Sequence, residues 1–162
     1  MDKKLQNAFN EQIKNELYSA YLYLSMAAYF EAHNLSGFAH WMRVQEKEER
    51  AHAMKMFDFL TDRADKVTLQ AIPQPPLDFS SLLDVFEKTL EHEKKVTALI
   101  DKLYALSKDA DDNASAVFLQ WFINEQVEEE KNTTQILETL KVIKPDSAAI
   151  IMLDRELAKR EG

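Results

Sequence analysis

The chain contains no cysteine, which excludes disulfides and thiolate metal sites. Glycine occurs only twice and proline four times in 162 residues, and so few breakers favour long, uninterrupted helices. No apolar run is long enough to span a bilayer. No apolar segment of the signal-peptide kind follows Met1, so a cytosolic (cytoplasmic) protein is expected. Basic residues are also in deficit: Lys and Arg number 20 against 28 Asp and Glu, for a net charge of -8. This balance argues against nucleic acid and anionic membrane surfaces as partners and suits cationic ligands. The remainder, 46% hydrophobic and 30% charged, fits one soluble domain with a sizeable core.

Apolar residues recur at helical spacing. The pattern predicts helices over about 4–33, 36–63, 80–107, 113–143 and 147–159, with no strand. In the first helix it runs Leu5, Phe9, Ile13, Leu17, Ala20, Leu24 and Ala27. The segment 64–79 holds Pro73, Pro75 and Pro76 and cannot be a regular helix. Ser80 is a plausible cap for the third helix, and Asp146 or Ser147 for the fifth. The first and third links are short, so helices one and two, and three and four, form antiparallel hairpins. The proline-bearing link, roughly 16 residues, can stretch about 50 Å, whereas a 27-residue helix is about 40 Å long. It can run the length of the bundle and make helices two and three parallel. The expected fold is all-α: an up-down-down-up four-helix bundle with one long crossover and a short fifth helix, in a single domain.

Carboxylates interrupt the apolar stripe of every long helix. The stripes read Phe9, Ile13, Glu16, Ala20, Tyr23 in helix one; Met42, Gln45, Glu49, His52, Met56 in helix two; Phe86, Thr89, Glu93, Val96 in helix three; and Phe122, Glu125, Glu129, Asn132, Ile136 in helix four, with Glu128 alongside. Glu49 and His52, three apart, share a face. A single Glu in such a stripe is usually a rim residue turned to solvent. Four at one depth, one per helix, would cost several kcal/mol per ion if left unpaired. Lys47, Arg50 and Lys131 fall off the stripes, so a bound cation is the remaining partner. Oxygen ligands with one imidazole suit iron or manganese better than copper or structural zinc.

These residues lie in segments that resemble the ferritins, specifically the haem-free prokaryotic (bacterial-type) ones: NELYSAYLYLSMA at 15–27, NLSGFAHWMRVQEKEERAHA at 34–53, HEK at 92–94 and LQWFINEQVEEE at 119–130. The resemblance covers essentially the whole chain. It implies a ferritin-like bundle with an intrasubunit di-iron ferroxidase centre. Glu16, Glu49 and His52 would form one iron site, and Glu49 would bridge to a second completed by Glu93 and Glu129. Glu48, Glu125 and Glu128, with Glu129 shared, would form a third iron site. Gln126 and Tyr23 match residues beside the centre, and Trp121 an aromatic near it. Helix four carries Gln126 and Glu129 where a symmetric di-iron bundle would repeat the ExxH pattern, which should hold one iron less tightly. A haem-binding relative would have Met after the bridging Glu; here it is Arg50, so no haem is expected.

The function implied is storage of iron: oxidation of Fe(II) by dioxygen or hydrogen peroxide, then deposition of ferric oxide mineral inside a hollow homo-oligomer of 24 subunits. The short fifth helix is too small to be stable alone, and in ferritins such a helix lines the fourfold contact. Asp109, Asp111 and Asp112 stand either as helix-capping charge or as a guide for Fe(II) at a pore. Three alternatives remain: a di-metal peroxidase that retains its metals, a passive iron buffer, and an interaction bundle with an incidental acidic centre.

Overall fold

Caps and left-handed stops set the helix ends in the computed structural model, which describes residues 1–162. Asp2 opens α1 (Lys3–Ala32), its carboxylate accepting from the Lys4 and Leu5 amides. α2 (Ser36–Asp62) follows a tight link. Ser81, one residue later than the expected Ser80, caps α3 (Leu82–Asp109) through the Asp84 amide. Asp112 caps α4 (Asn113–Val142) through the Ser115 amide and pairs with Arg63 at 2.8 Å, so the capping role of this acid is realised. α5 (Ala148–Leu157) starts after Pro145. The links after α1, α2 and α3 pass through Asn34, Ala64 and Asp111 at φ 57°, 56° and 52°. Asn and Asp visit this region readily, whereas the Cβ of Ala64 costs about 1 kcal/mol there.

Side-chain pairs fix the topology. Phe9 meets Phe59 and Phe30 meets Phe38, so α1 and α2 are antiparallel. Tyr23 reaches Glu93 and Met26 reaches Thr89, so α3 also opposes α1. Gln45 bonds Glu129 while Phe59 stacks on Phe118, so α4 opposes α2. The order is up-down-down-up, as expected from the link lengths. The crossover lies along α1. Asn10 holds the Lys66 carbonyl and the Thr68 amide, Ser25 donates to the Pro76 carbonyl, and Tyr29 packs on Phe79.

The apolar core is in two parts. One end holds Leu5, Phe9, Leu60, Leu103 and Leu119, the other Phe30, Phe38, Phe86, Leu137 and Ile150. Between them lies a layer of buried Glu16, Gln45, Glu49, His52, Glu93, Gln126 and Glu129. Two stripe assignments need correction. Leu24 is 46% exposed. In α4 the buried line runs Leu119, Phe122, Gln126, Glu129, Thr133 and Ile136, one helical position away from Glu125 and Asn132, which are only partly buried. Three-and-four spacing leaves both lines open when several polar residues are adjacent.

α5 packs against α2. Asp154 Oδ1 accepts from the Phe38 amide at 3.0 Å, and a Cβ at Gly37 would lie 1.7 Å from the Asp154 carbonyl oxygen. Only glycine permits this approach. No helix is long and apolar enough to cross a membrane.

Candidate metal centre

α1 and α2 bring Glu16, Glu49 and His52 together so that one ligand atom from each lies within 4.8 Å of the others. His52 Nδ1 is 3.5 Å from Glu49 Oε2 and 4.0 Å from Glu16 Oε2. Those two carboxylate oxygens are buried and have no hydrogen-bond partner. Their other oxygens are engaged: Glu16 Oε1 accepts from Gln12 at 2.7 Å and Glu49 Oε1 from Gln45 at 3.4 Å. Each carboxylate is therefore oriented by one oxygen and presents the other to the same point. Buried orphan acceptors are rare in folded proteins, and two facing one imidazole nitrogen form the donor set of a hard cation.

Across the bundle, α3 supplies Glu93. Both of its oxygens are held, Oε1 by the Tyr23 hydroxyl and Oε2 by Gln126 Nε2 at 3.2 Å. Burial pushes Glu93 up to about 7, against the Tyr23 and Gln126 hydrogen bonds that pull it down. Burial raises Glu129 to about 8, with the Glu93 charge adding to it and the Gln45 hydrogen bond opposing. Glu49 is raised well above the ordinary carboxylate range by burial and then by Glu93, Glu16 and Glu129. The Tyr23 hydroxyl is raised for the same two reasons, burial first and the Glu93 charge second. No lysine or arginine pairs with Glu16, Glu49, Glu93 or Glu129. The layer thus gathers four buried carboxyls that no lysine or arginine side chain bonds directly, and the raised pKa values of Glu49, Glu93 and Glu129 follow from this.

A second group forms on the α4 side, where His52, Glu125 and Glu129 place ligand atoms within 4.8 Å of one another; His52 Nε2 lies 3.9 Å from Glu125 Oε1. Glu48 joins neither group and is instead paired with Arg160. Glu128 is exposed and also joins neither. Trp121 packs edge-on against His52 at 5.4 Å, with the Lys55 ammonium 4.3 Å above its own ring. At 39% exposure it closes the outside of the site more than it fills the core.

Sequence reasoning missed three supporting residues. Gln12 and Gln45 stand four residues before Glu16 and Glu49, a spacing that puts each amide beside its carboxylate; this repeated pattern was visible in the sequence. Arg160 lies 115 positions from Gln45, to which its Nη1 donates at 2.9 Å, and no local pattern announces it. His92 is structural: its Nε2 is 2.7 Å from Ser19 Oγ, and burial lowers it to about 4.

Comparison with known proteins gives this geometry a family. A family model for the ferritin-like domain matches residues 6–143. The chain belongs to the ferritin family. A bacterial non-heme ferritin of Bacteroides fragilis (strain 638R) is 41% identical over 160 residues, 99% of each chain. That of Staphylococcus saprophyticus is 39% identical over 99% of this chain and 96% of its own. Among solved structures, an open pore ferritin from the hyperthermophilic archaeon Archaeoglobus fulgidus matches with a TM-score of 0.98 and 47% identity, covering 99% of this chain and 98% of that one. The resemblance read from the sequence and the ferritin bundle it implied are both borne out. Iron storage with ferroxidase activity, an oxidoreductase function, goes with this ferritin's membership and with its glutamate–histidine group.

Proposed function

We propose that Fe(II) is bound as a pair in the buried layer, oxidised there, and passed on to a mineral. One iron takes Glu16, Glu49 and His52. The second takes Glu49 as a bridge together with Glu93 and Glu129, after Tyr23 and Gln126 yield part of their hold on Glu93. An outer, third position draws on Glu48, Glu125, Glu128 and the shared Glu129. The observation that carries this reading is the convergence of two orphaned carboxylate oxygens on His52 Nδ1. Hard anionic oxygens stabilise Fe(III) over Fe(II), so the layer favours loss of an electron from each iron. Two Fe(II) lose two electrons, and one dioxygen takes these with two protons to become hydrogen peroxide; hydrogen peroxide is itself the alternative oxidant. No haem takes part. Tyr23, Gln126, Gln12 and Gln45 keep the carboxylates aimed while the ligand set changes charge.

The oxidised pair then leaves for the interior of a homo-oligomeric cage, with 24 subunits as the expected number, in the cytoplasm. Tyr21, Leu24, Leu69 and Leu77 on α1 and the crossover, and Ile151 and Met152 on α5, are exposed in the single chain, an apolar surface suited to subunit contacts.

Stepwise aerobic addition of Fe(II) to the apo-protein, followed by size-exclusion chromatography, tests the whole reading. Iron retained far above three per chain, in a peak much larger than a monomer, is expected. Saturation at two or three per chain would refute storage and favour a fixed di-iron enzyme.

A further inference from the structure

The tail beyond α5 turns back onto α2. The Arg160 carbonyl oxygen is 2.8 Å from His40 Nε2, and Gly162 sits so close that a Cβ there would be 2.5 Å from Val44 Cγ1. This return delivers the Arg160 guanidinium to the rim of the metal layer. Nη2 pairs with Glu48, Nη1 donates to Gln45 Oε1 at 2.9 Å, and the plane lies 4.4 Å over the Trp41 ring. Gln45 is fully buried, and its Nε2 donates to Glu129 Oε2 at 2.6 Å and to Glu49 Oε1 at 3.4 Å. A side-chain amide has one acceptor end and one donor end. With its oxygen held by Arg160, Gln45 can present only its NH2 group to the carboxylates.

We propose that Arg160 is a resident cation of the centre, a positioning residue that occupies the place of the outer metal. It holds Glu48 out of the ligand set and fixes the Gln45 amide against Glu129. A metal ion gains Glu48 only when the guanidinium leaves, so loading of the outer position is coupled to release of the C-terminal tail. This rests on the reading that Glu48, Glu125 and Glu129 serve an outer site. The physical ground is that a guanidinium and a metal ion compete for the same carboxylate oxygen, and that the divalent ion wins once the inner carboxylates no longer need the arginine's charge.

The test is calorimetric titration of the assembled apo-protein with Zn(II), a redox-inert probe, alongside tryptophan emission. W41F, which lacks the indole under Arg160, isolates the Trp41 signal. In the wild type a third, weakest equivalent is expected to coincide with a change in Trp41 emission. In R160A that equivalent should bind about fivefold tighter, the factor for an ion pair of about 1 kcal/mol that no longer has to break, and the emission change should vanish. R160Q serves if R160A fails to assemble, and the wild-type emission response requires no arginine variant. Equal third-site affinity in wild type and R160A, with silent Trp41, would overturn the role of Arg160 and leave the outer site standing. Two equivalents in both proteins, unaltered by E48Q, would overturn the outer site and this proposal with it.

Discussion

Replacement of Glu49 by glutamine should leave the fold intact, raise the thermal stability of the metal-free protein and abolish fast Fe(II) oxidation. The three effects have one cause. Glu49 is 1% exposed and its Oε2 has no partner; burial, then Glu93, Glu16 and Glu129, hold its proton in the metal-free fold, whereas the unfolded chain gains by releasing it. Glutamine keeps the volume and has no proton to release, which removes that advantage of the unfolded chain and stabilises the fold. The same change removes the ligand assigned to both irons. Loss of partners one step further from a metal already costs 10–100-fold in affinity or activity, so losing the shared ligand should slow single-turnover oxidation by at least about 100-fold. Stopped-flow absorbance at two irons per chain measures the rate, and thermal unfolding in chelator measures the stability. An unchanged rate would show that oxidation occurs elsewhere. A lower melting temperature would show that Glu49 is a structural residue.

The second large effect is an inversion of the pH dependence by metal. Glu93 and Glu129 stand at about 7 and 8 in the folded chain, against an ordinary 4.5. The folded state therefore holds protons that the unfolded chain has released. The stability this contributes is complete below about 4.5 and is lost as pH rises through 7 and 8. His92 acts in the opposite sense. Lowered to about 4 from 6.5, it makes stability increase as pH rises to 6.5. Between pH 6.5 and 8 the carboxylates act with His92 no longer opposing them, each with a slope of about 1.4 kcal/mol per pH unit below its folded pKa that halves at that pKa and ends above it. The metal-free melting temperature should fall by several degrees across that window at fixed protein concentration. With Zn(II) present it should rise instead, because metal binding expels those protons and strengthens as they leave. Parallel curves with and without Zn(II) would contradict the assignment of Glu93 and Glu129 as ligands.

The fold was nearly all legible from periodicity, breakers and link lengths. Two glycines and a run of prolines bound long helices, and a crossover able to span the bundle fixed the up-down-down-up order. Among candidate site residues, Glu16, Glu49, His52, Glu93 and Glu129 could be named because each interrupts an apolar stripe near mid-helix. The α4 face was one step out: Glu125, Gln126, Glu128 and Glu129 are adjacent polar residues, and spacing alone does not say which of them the partner helices cover. Packing decides for Gln126, whose amide hydrogen-bonds Glu93 across the bundle. Arg160 was illegible for a different reason. It acts through a tail that folds back over a hundred residues in sequence, and helical spacing carries no information about such a contact. Gln12 and Gln45 lie between these cases, present as a repeated i, i+4 pattern whose purpose appears only once the carboxylate oxygens they hold are located.

The most direct test of the centre is an anomalous-difference map at the iron edge from crystals loaded with Fe(II) without oxygen. Two peaks within one subunit are predicted, one against Glu16, Glu49 and His52, the other sharing Glu49 with Glu93 and Glu129. Density confined to the rim near Glu125 and Glu128, with none between Glu16 and His52, would contradict it.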